Sequence, residues 1–305
     1  MIKRTLYFGN PAYLSMRLGQ IVVKMPGESG EAADDARVRT VPIEDVGVIV
    51  LDNKQITLTH ALLEMLLDNN CAIITCDSKH LPVGLMLPLA GNTVQNERFR
   101  AQLDASLPLK KQLWQQTVQA KIRNQAAVLE SVMGKPAKNM LAWSESVRSG
   151  DPDNLEARAA AYYWKNVFPD EEDFFRDQDG DGLNAMLNYG YAILRAVVAR
   201  SLVSCGLLPT LGIHHHNRYN AYCLADDIME PYRPYVDKLV CGMREEMDIE
   251  EGLSRQAKVK LLGIPVVDVV INGCRSPLMN AVFQTTSSLV KCFSGEIRKL
   301  SYPDM

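Results

Sequence analysis

The chain has 305 residues, of which 47% are hydrophobic and 23% charged, and its formal net charge at pH 7 is −3. These values are typical of a globular protein with a large core, and they exclude an intrinsically disordered chain and a nonspecific polycation. No apolar run has the length of a membrane span, and the amino terminus lacks the apolar stretch of a signal peptide. The seven cysteines show no C-x-x-C pair. We therefore expect a cytoplasmic protein with reduced thiols and no membrane contact.

The first ninety residues are predicted to form mainly β-strands. Residues of β-branched and aromatic type are concentrated in five stretches, at 5–9, 13–25, 46–51, 71–76 and 81–86. Leu18 and Gly19 are suited to a hairpin turn within the second of these stretches. One helix is predicted at residues 61–67, with Thr59 as its N-cap. Residues 27–37, rich in Gly, Ser, Ala and Asp, are predicted to be a loop.

The remainder of the chain is predicted to be helical. Apolar residues at helical spacing indicate four helices, near residues 109–133, 183–203, 253–262 and 277–293. We therefore predict an α+β fold with two domains. A β-rich domain at residues 1–88 is followed by a linker at 89–95 and by a larger all-α domain at 96–305.

The charges are unevenly distributed along the second domain. Residues 95–148 contain nine Lys and Arg against four Asp and Glu, a local net charge of +5. Residues 151–182 contain ten Asp and Glu against three Lys and Arg, a local net charge of −7. This pattern is consistent with a polyanion that docks on the first segment beside a cation held near the second, and equally with solvated helix faces of opposite sign.

Three residues are candidate ligands of a divalent metal ion, namely Glu156, His215 and Glu230. Glu156 opens a predicted helix, where an acidic residue also favours the helix dipole. His215 is the middle residue of the run HHH at 214–216. Glu230 follows Asp227 by three residues, so the two share a helix face, and Pro231 disfavours α conformation at Glu230. Two carboxylates and one imidazole around a divalent ion are suited to phosphodiester chemistry.

Four segments together resemble the CRISPR spacer-acquisition integrase family. They are NLEARAA at 154–160 followed by Tyr163 and Trp164, NAMLNYGY at 184–191, GIHHHNRYN at 212–220 and LADDIMEPYRP at 224–234. The sequence of the last segment resembles that found in one branch of the family, the type II branch, which accompanies a single large RNA-guided effector. The N-terminal strands are similar to the β-sandwich domain of this family.

The resemblance implies a metal-dependent DNA integrase of CRISPR adaptation, in which the 3′-hydroxyl of a DNA fragment attacks a repeat phosphodiester. Mg²⁺ or Mn²⁺ would be held by Glu156, His215 and Glu230, with Asp227 as a further ligand or as a neighbour that supports them. His214 or His216 replaces His215 if the family motif is shifted by one residue. Candidate DNA contacts are four arginines, Arg158, Arg195, Arg200 and Arg233.

The resemblance also implies partners. They are double-stranded DNA (the spacer precursor and the CRISPR repeat), a second copy of the chain in a homodimer, and a small ferredoxin-like CRISPR adaptation protein. The N-terminal domain would provide the dimer and partner contacts, and residues 96–305 would be the catalytic domain. Two other functions are compatible with the residues alone. One is a metal-dependent, structure-specific DNA endonuclease, and the other is a non-catalytic nucleic-acid-binding scaffold.

Overall fold

A computed structural model of the protein describes residues 3–26, 38–171, 174–178, 180–244 and 253–305. The chain divides into two compact units, Met1–Gly91 and Asn92–Met305. The predicted loop at residues 27–37 lies outside the described residues. No helix in the described part is both long and apolar enough to cross a membrane.

In its described part, the first unit contains eight strands and one α-helix. They are β1 (Arg4–Phe8), β2 (Ala12–Arg17), β3 (Gln20–Lys24), β4 (Val38–Pro42), β5 (Val46–Leu51), β6 (Ile56–Leu58), α1 (His60–Asp68), β7 (Ala72–Cys76) and β8 (Pro82–Met86). The strands form two sheets of four, in the orders β1-β5-β7-β8 and β4-β3-β2-β6. The predicted hairpin turn joins β2 to β3, with φ of 51° at Leu18 and 71° at Gly19. Positive φ at both turn residues is characteristic of a type I′ hairpin.

Both sheets and α1 of the first unit contribute to one hydrophobic core. Alternate residues of the strands point inward, among them Leu14 and Ile21 from one sheet and Ile49 and Ile73 from the other. Leu62 on α1 completes the cluster and is fully buried. The strands β4 and β6 were not predicted because they are short and largely polar or exposed.

The second unit is mainly helical. Its α-helices are α2 (Gln95–Leu103), α3 (Leu107–Met133), α4 (Lys138–Ser146), α5 (Leu155–Asn166), α6 (Leu183–Ser204), α7 (Cys223–Met229), α8 (Arg233–Arg244), α9 (Arg255–Leu261) and α10 (Leu278–Phe293). The long helix α3 begins where Ser106 Oγ accepts a hydrogen bond from Leu109 N (3.4 Å), and it ends at Gly134, whose φ is 66°. It packs against α4, α5 and α8, so one helix supports several parts of the unit.

The prediction of an all-α second domain is wrong in one region. A three-stranded sheet, in the order β10-β9-β11, consists of β9 (Asp268–Ile271), β10 (Cys274–Pro277) and β11 (Pro303–Asp304). Asn272 and Gly273 form the turn between β9 and β10, with φ of 52° and 76°. This Asn-Gly pair is a hairpin signal that the sequence already offered. The third strand has only two residues, and no local pattern identifies a strand so short. The mixed α+β class is confirmed, with most strands near the amino terminus.

Candidate metal centre

Glu156 is positioned by the loop that precedes α5. Asp151 and Asn154 both adopt left-handed backbone conformations, with φ of 51° and 52°. The Asp151 carboxylate accepts hydrogen bonds from the backbone N–H of Leu155 (3.0 Å) and of Glu156 (2.9 Å). Asp151 therefore caps the helix and satisfies donors of its first turn. Glu156, held in that turn, directs its side chain towards Lys121 on α3.

Glu230 is positioned by a change of helix type between α7 and α8. Residues Glu230–Tyr232 form a short 3₁₀ helix, but Glu230 keeps helical dihedral angles, with φ −52° and ψ −46°. The expectation that Pro231 takes Glu230 out of helical conformation is therefore wrong, because the chain tightens here without breaking. Asn124 on α3 donates a hydrogen bond to the Pro231 carbonyl oxygen (2.8 Å) and anchors the turn.

The loop that carries His215 folds around the Asp227 carboxylate. Asp227 Oδ2 accepts hydrogen bonds from the backbone N–H of Ile213 (2.7 Å) and of His214 (2.9 Å). Asp227 Oδ1 lies 3.3 Å from His215 N and 2.5 Å from His215 Nδ1. Asp227 is fully buried on α7, and both of its oxygens are engaged. It therefore orients the imidazole, whose Nε2 is the nitrogen left for another ligand.

The structure also distinguishes the three histidines of the loop. The ring of His214 stacks on Trp114 with 4.1 Å between centroids and an interplanar angle of 2°. The ring of Trp114 also meets the ring of His215 edge-on, with 5.6 Å between centroids. Trp114 on α3 therefore contacts both histidine rings. Burial lowers the pKa of His214, whereas the hydrogen bond that His215 donates to Asp227 raises the pKa of His215. Within the described contacts of the three histidines, His215 is the one whose ring nitrogen, Nδ1, contacts Asp227.

Glycine is required at the start of this loop. A Cβ atom at Gly212 would lie 2.3 Å from the His215 carbonyl oxygen and 2.8 Å from Asp227 Oδ2. Both distances are too short for carbon, so any side chain at this position would push the loop away from the carboxylate. The glycine three residues before His215 in the segment at 212–220 therefore has a steric basis.

Glu156 and Glu230 converge on the ammonium group of Lys121. Nζ lies 2.5 Å from Glu156 Oε1 and 2.6 Å from Glu230 Oε2. These two oxygens are at most about 5 Å apart, since each lies within 2.6 Å of the same nitrogen. Burial disfavours the ammonium, but the charges of Glu230 and Glu156 raise the pKa of Lys121 above its ordinary value. Lys121 is therefore a protonated, buried cation between the two carboxylates.

Glu230 carries a second ion pair on its other oxygen. Arg233 Nε lies 2.9 Å from Glu230 Oε1. Burial alone would raise the pKa of Glu230, but the charges of Arg233 and Lys121 lower it to about 2. Glu230 Oε2 is buried and has no hydrogen-bond partner, because its contact with Lys121 is not aligned as a hydrogen bond. Glu230 therefore stays ionised at neutral pH, between the cations of Lys121 and Arg233.

The donor set around Lys121 fits a hard divalent cation. It consists of carboxylate oxygens from Glu156 and Glu230, and the imidazole of His215 lines the same cavity as Lys121 and Glu230. Across the described residues, no three His, Cys, Asp or Glu side chains are already gathered in a metal-holding arrangement. The ammonium of Lys121 lies between the carboxylates of Glu156 and Glu230.

A polar cavity of about 460 Å³ lies beside these residues. Its charged lining comprises the basic residues Lys121, Arg176, Arg195 and Arg233 and the acidic residues Asp226, Glu230 and Asp237. Two cavities of about 540 and 520 Å³ lie elsewhere in the second unit, but neither is lined by a predicted ligand. The chemistry of the lining, and not the volume, therefore singles out this cavity.

Two of the four arginines predicted to contact DNA line the cavity. Arg195 pairs with Asp226 at 2.7 Å, and Arg233 pairs with Glu230. Arg158 lies outside the cavity lining and stacks over Trp143, with 4.6 Å between its guanidinium carbon and the ring centroid. Arg200 is likewise absent from the described lining of the cavity.

Several residues of the site were not predicted from the sequence. Among them are Arg176, Tyr191 and Asp237. The guanidinium carbon of Arg176 lies 5.3 Å from the ring centroid of Tyr191, and that of Arg233, which was predicted, lies 4.6 Å from it. The Tyr191 hydroxyl donates a hydrogen bond to Asp237, and Tyr163 donates a second one at 2.9 Å. Burial raises the pKa of Asp237 to about 6, although both hydrogen bonds act in the opposite direction.

One sequence signal for Lys121 was available. On α3, Leu113, Thr117 and Lys121 follow one another at spacings of four, so they lie on the same helix face. This face is buried, and Lys121 retains only 10% of its side-chain exposure. A lysine in the middle of an apolar helical row is unusual, and it indicates a buried anionic partner.

Comparison with known proteins places the chain in a family. The family model described as CRISPR associated protein Cas1 matches residues 6–261. The CRISPR-associated endonuclease Cas1 of Neisseria meningitidis serogroup C (strain 8013) is 39% identical over 263 residues, which cover 86% of this chain and 83% of that protein.

Two solved structures have a similar fold. A casposase bound to integration product has a TM-score of 0.76 and 21% identity, covering 98% of this chain and 92% of that chain. A chain of a Cas6-RT-Cas1–Cas2 complex has a TM-score of 0.72 and 19% identity, covering 98% of this chain and 36% of that chain. At these identities the likeness concerns the fold. Because the family model spans most of the sequence and the Neisseria relative is 39% identical across most of both proteins, the chain belongs to the CRISPR-associated Cas1 family of endonucleases, as the sequence resemblance predicted.

Proposed function

We propose that this protein is the metal-dependent DNA integrase of CRISPR adaptation. In the reaction, the 3′-hydroxyl oxygen of a DNA fragment attacks a phosphorus atom of the repeat DNA. A new P–O bond forms, the existing bond to the 3′ oxygen of the repeat strand breaks, and that strand keeps a free 3′-hydroxyl. The observation that carries the proposal is the convergence of Glu156 and Glu230 beside His215 and a cavity lined by arginines.

We assign the metal site to Glu156, His215 and Glu230, and Mg²⁺ or Mn²⁺ to the ion that they bind. A divalent ion there would stabilise negative charge on a phosphate oxygen and lower the pKa of the attacking hydroxyl. Asp227 orients His215 through Nδ1 and fixes the loop through the backbone N–H of Ile213, so we treat it as a positioning residue. The carboxylate of Glu230 is ionised at neutral pH and needs no proton transfer before it binds a cation.

The cavity arginines are suited to phosphate contacts. Arg195 and Arg233 each present a guanidinium group that already pairs with one carboxylate, and Arg176 adds a third cation. A phosphodiester that enters the cavity would meet these cations close to the carboxylate of Glu230. We therefore expect DNA ends to bind here, and the exposed Arg158 to act outside the cavity, on the flanking duplex.

The proposal extends to partners. The chain would act as a homodimer on double-stranded DNA together with a small ferredoxin-like CRISPR protein, through the domain at residues 1–88. Exposed apolar side chains on the first unit support such contacts, among them Tyr13 at 59% and Val83 at 65% exposure. The Cas6-RT-Cas1–Cas2 complex is a precedent for a protein partner of this fold. We also assign the chain to the type II branch, on the sequence of residues 224–234.

The experiment that tests the function is strand joining in vitro. A short DNA duplex with free 3′-hydroxyls is incubated with repeat DNA, Mn²⁺ and the protein together with its adaptation partner. The variants Glu156→Gln, His215→Ala and Glu230→Gln are each expected to abolish joining. Glu130→Gln is the matched control, because Glu130 is exposed on α3 and away from the cavity lining. Unchanged joining in any of the three site variants removes that residue from the proposed site.

Two further measurements separate the alternatives. A fragment with blocked 3′-hydroxyls must not be joined, whereas a structure-specific endonuclease would still hydrolyse branched DNA. The Neisseria relative is named an endonuclease, which supports this second activity as an alternative for the same site. A non-catalytic scaffold would retain all of its effects in EDTA, and joining that survives chelation contradicts the metal-dependent mechanism.

A further inference from the structure

Lys121 is held in the metal site by a rigid part of α3. Thr117, one turn before it, forms a buried hydrogen bond with the hydroxyl of Tyr302 (2.8 Å). Asn124, one turn after it, donates to the carbonyl oxygens of Pro231 (2.8 Å) and Pro303 (3.0 Å). The helix is therefore fixed on both sides of Lys121, and the position of the ammonium is not that of a freely rotating surface lysine.

The charges around Lys121 balance without any ion. Glu156 and Glu230 bring two negative charges whose nearest oxygens are at most about 5 Å apart. Lys121 and Arg233 bring two positive charges, at 2.5 to 2.9 Å from these carboxylates. Without the ammonium, the two carboxylates would repel each other in a largely buried site, where the repulsion is weakly screened.

An ion that binds oxygens of both carboxylates would need the space that Lys121 occupies. We propose that Lys121 is a built-in counter-ion, which holds the metal ligands in place in the metal-free protein and competes with the divalent cation for them. This inference rests on the proposed metal site and adds a positioning residue to it. The apparent metal affinity equals the intrinsic affinity multiplied by the fraction of molecules in which the ammonium has left the space between the carboxylates.

The first test is Mn²⁺ binding to the full chain, without DNA, by isothermal titration calorimetry. Lys121→Met removes the charge and keeps a side chain of similar length, and we expect it to bind Mn²⁺ at least about tenfold more tightly than the unmodified protein. The control is Arg123→Met, which removes a positive charge from an exposed position on the same helix. Its Kd should stay within about twofold of the unmodified value.

The second test is thermal unfolding in EDTA, followed by tryptophan fluorescence. Lys121→Met should lower the Tm by about 5 °C or more, because two carboxylates are left without their buried partner. Mn²⁺ should restore the Tm of this variant. The double variant Lys121→Met/Glu156→Gln should recover most of the Tm in EDTA, since one of the repelling charges is gone. This double variant also keeps the test valid if Lys121→Met does not fold without metal.

The outcomes separate this inference from the proposed function. If Lys121→Met binds Mn²⁺ as well as or less well than the unmodified protein, the counter-ion role is wrong and the metal site stands. If the double variant is no more stable in EDTA than Lys121→Met, the electrostatic argument is wrong. If neither the unmodified protein nor Lys121→Met binds Mn²⁺, the metal site itself is wrong, and the counter-ion role is rejected with it.

Discussion

Replacement of Asp227 by Asn tests how the loop of His215 is held. The two side chains have the same shape, but Asn offers one acceptor oxygen and an NH₂ group that cannot accept a hydrogen bond. Asp227 accepts from Ile213 N at 2.7 Å, from His214 N at 2.9 Å and from His215 Nδ1 at 2.5 Å. In the variant, the NH₂ group of the new side chain would face at least one of these N–H donors inside the second unit.

The expected loss of stability follows from these contacts. A hydrogen bond to a charged group contributes about 1.5–3 kcal/mol, and a buried donor left unsatisfied costs a comparable amount. The loss of charge assistance at several bonds of Asp227, whose side chain is fully buried, should therefore lower the free energy of unfolding by about 4 kcal/mol. The same change should weaken Mn²⁺ binding by about 10- to 100-fold, because His215 loses its orienting partner.

The assay is urea unfolding followed by tryptophan fluorescence. Trp114, Trp143 and Trp164 are the only tryptophans of the chain and all belong to the second unit, so the signal reports on the unit that contains Asp227. The control is Asp153→Asn, which breaks an exposed ion pair with Arg148 and should leave the urea midpoint unchanged. An unchanged midpoint and an unchanged Mn²⁺ affinity in Asp227→Asn would refute the role assigned to this carboxylate.

Two further predictions concern other residues of the second unit. Gly212→Ala should reduce DNA joining by at least about tenfold, because its Cβ would lie 2.3 Å from the His215 carbonyl oxygen. Gly242→Ala on α8, with open space around the new Cβ, should keep full joining activity, and equal loss in both variants contradicts the steric argument. Asp237 has a folded-state pKa of about 6 against an ordinary 3.8, so the native state binds the extra proton and gains stability as the pH falls through about 6. Between pH 7 and pH 5 this gain is about 1 kcal/mol. Urea titrations of Asp237→Asn should lack it, and an identical pH dependence in both proteins refutes the assignment.

Much of the secondary structure follows from local patterns in the sequence. The spacing of apolar residues predicted α3 to within two residues at its amino end and predicted the carboxyl end correctly, because its capping residues are local. The turn at Leu18 and Gly19 was equally predictable from two residues. The strands β9, β10 and β11 were missed. The Asn-Gly turn that joins β9 to β10 is a local signal that was not used, whereas β11 has only two residues and pairs with a strand that is distant in the chain.

The candidate ligands were also identified from short motifs, but their arrangement was not. The sequence placed Glu156, His215 and Glu230 in distinctive segments and left the role of Asp227 open between ligand and support. Only the folded chain shows Asp227 with both oxygens engaged by the His215 loop. The position of Lys121 on a buried face of α3 indicates an anionic partner, but nothing near it in the chain specifies that the partners are Glu156 and Glu230.

The sequence by itself determined which helices form, which family the chain belongs to and which side chains are available for chemistry. The tertiary structure decided that α3 passes between the two segments that carry Glu156 and Glu230, and so places an ammonium between them. The physical reason is that helices form through contacts three and four residues apart, whereas a buried ion pair depends on packing between helices. Lys121 and Glu156 are 35 residues apart, and no periodic pattern within either segment predicts that they are in contact.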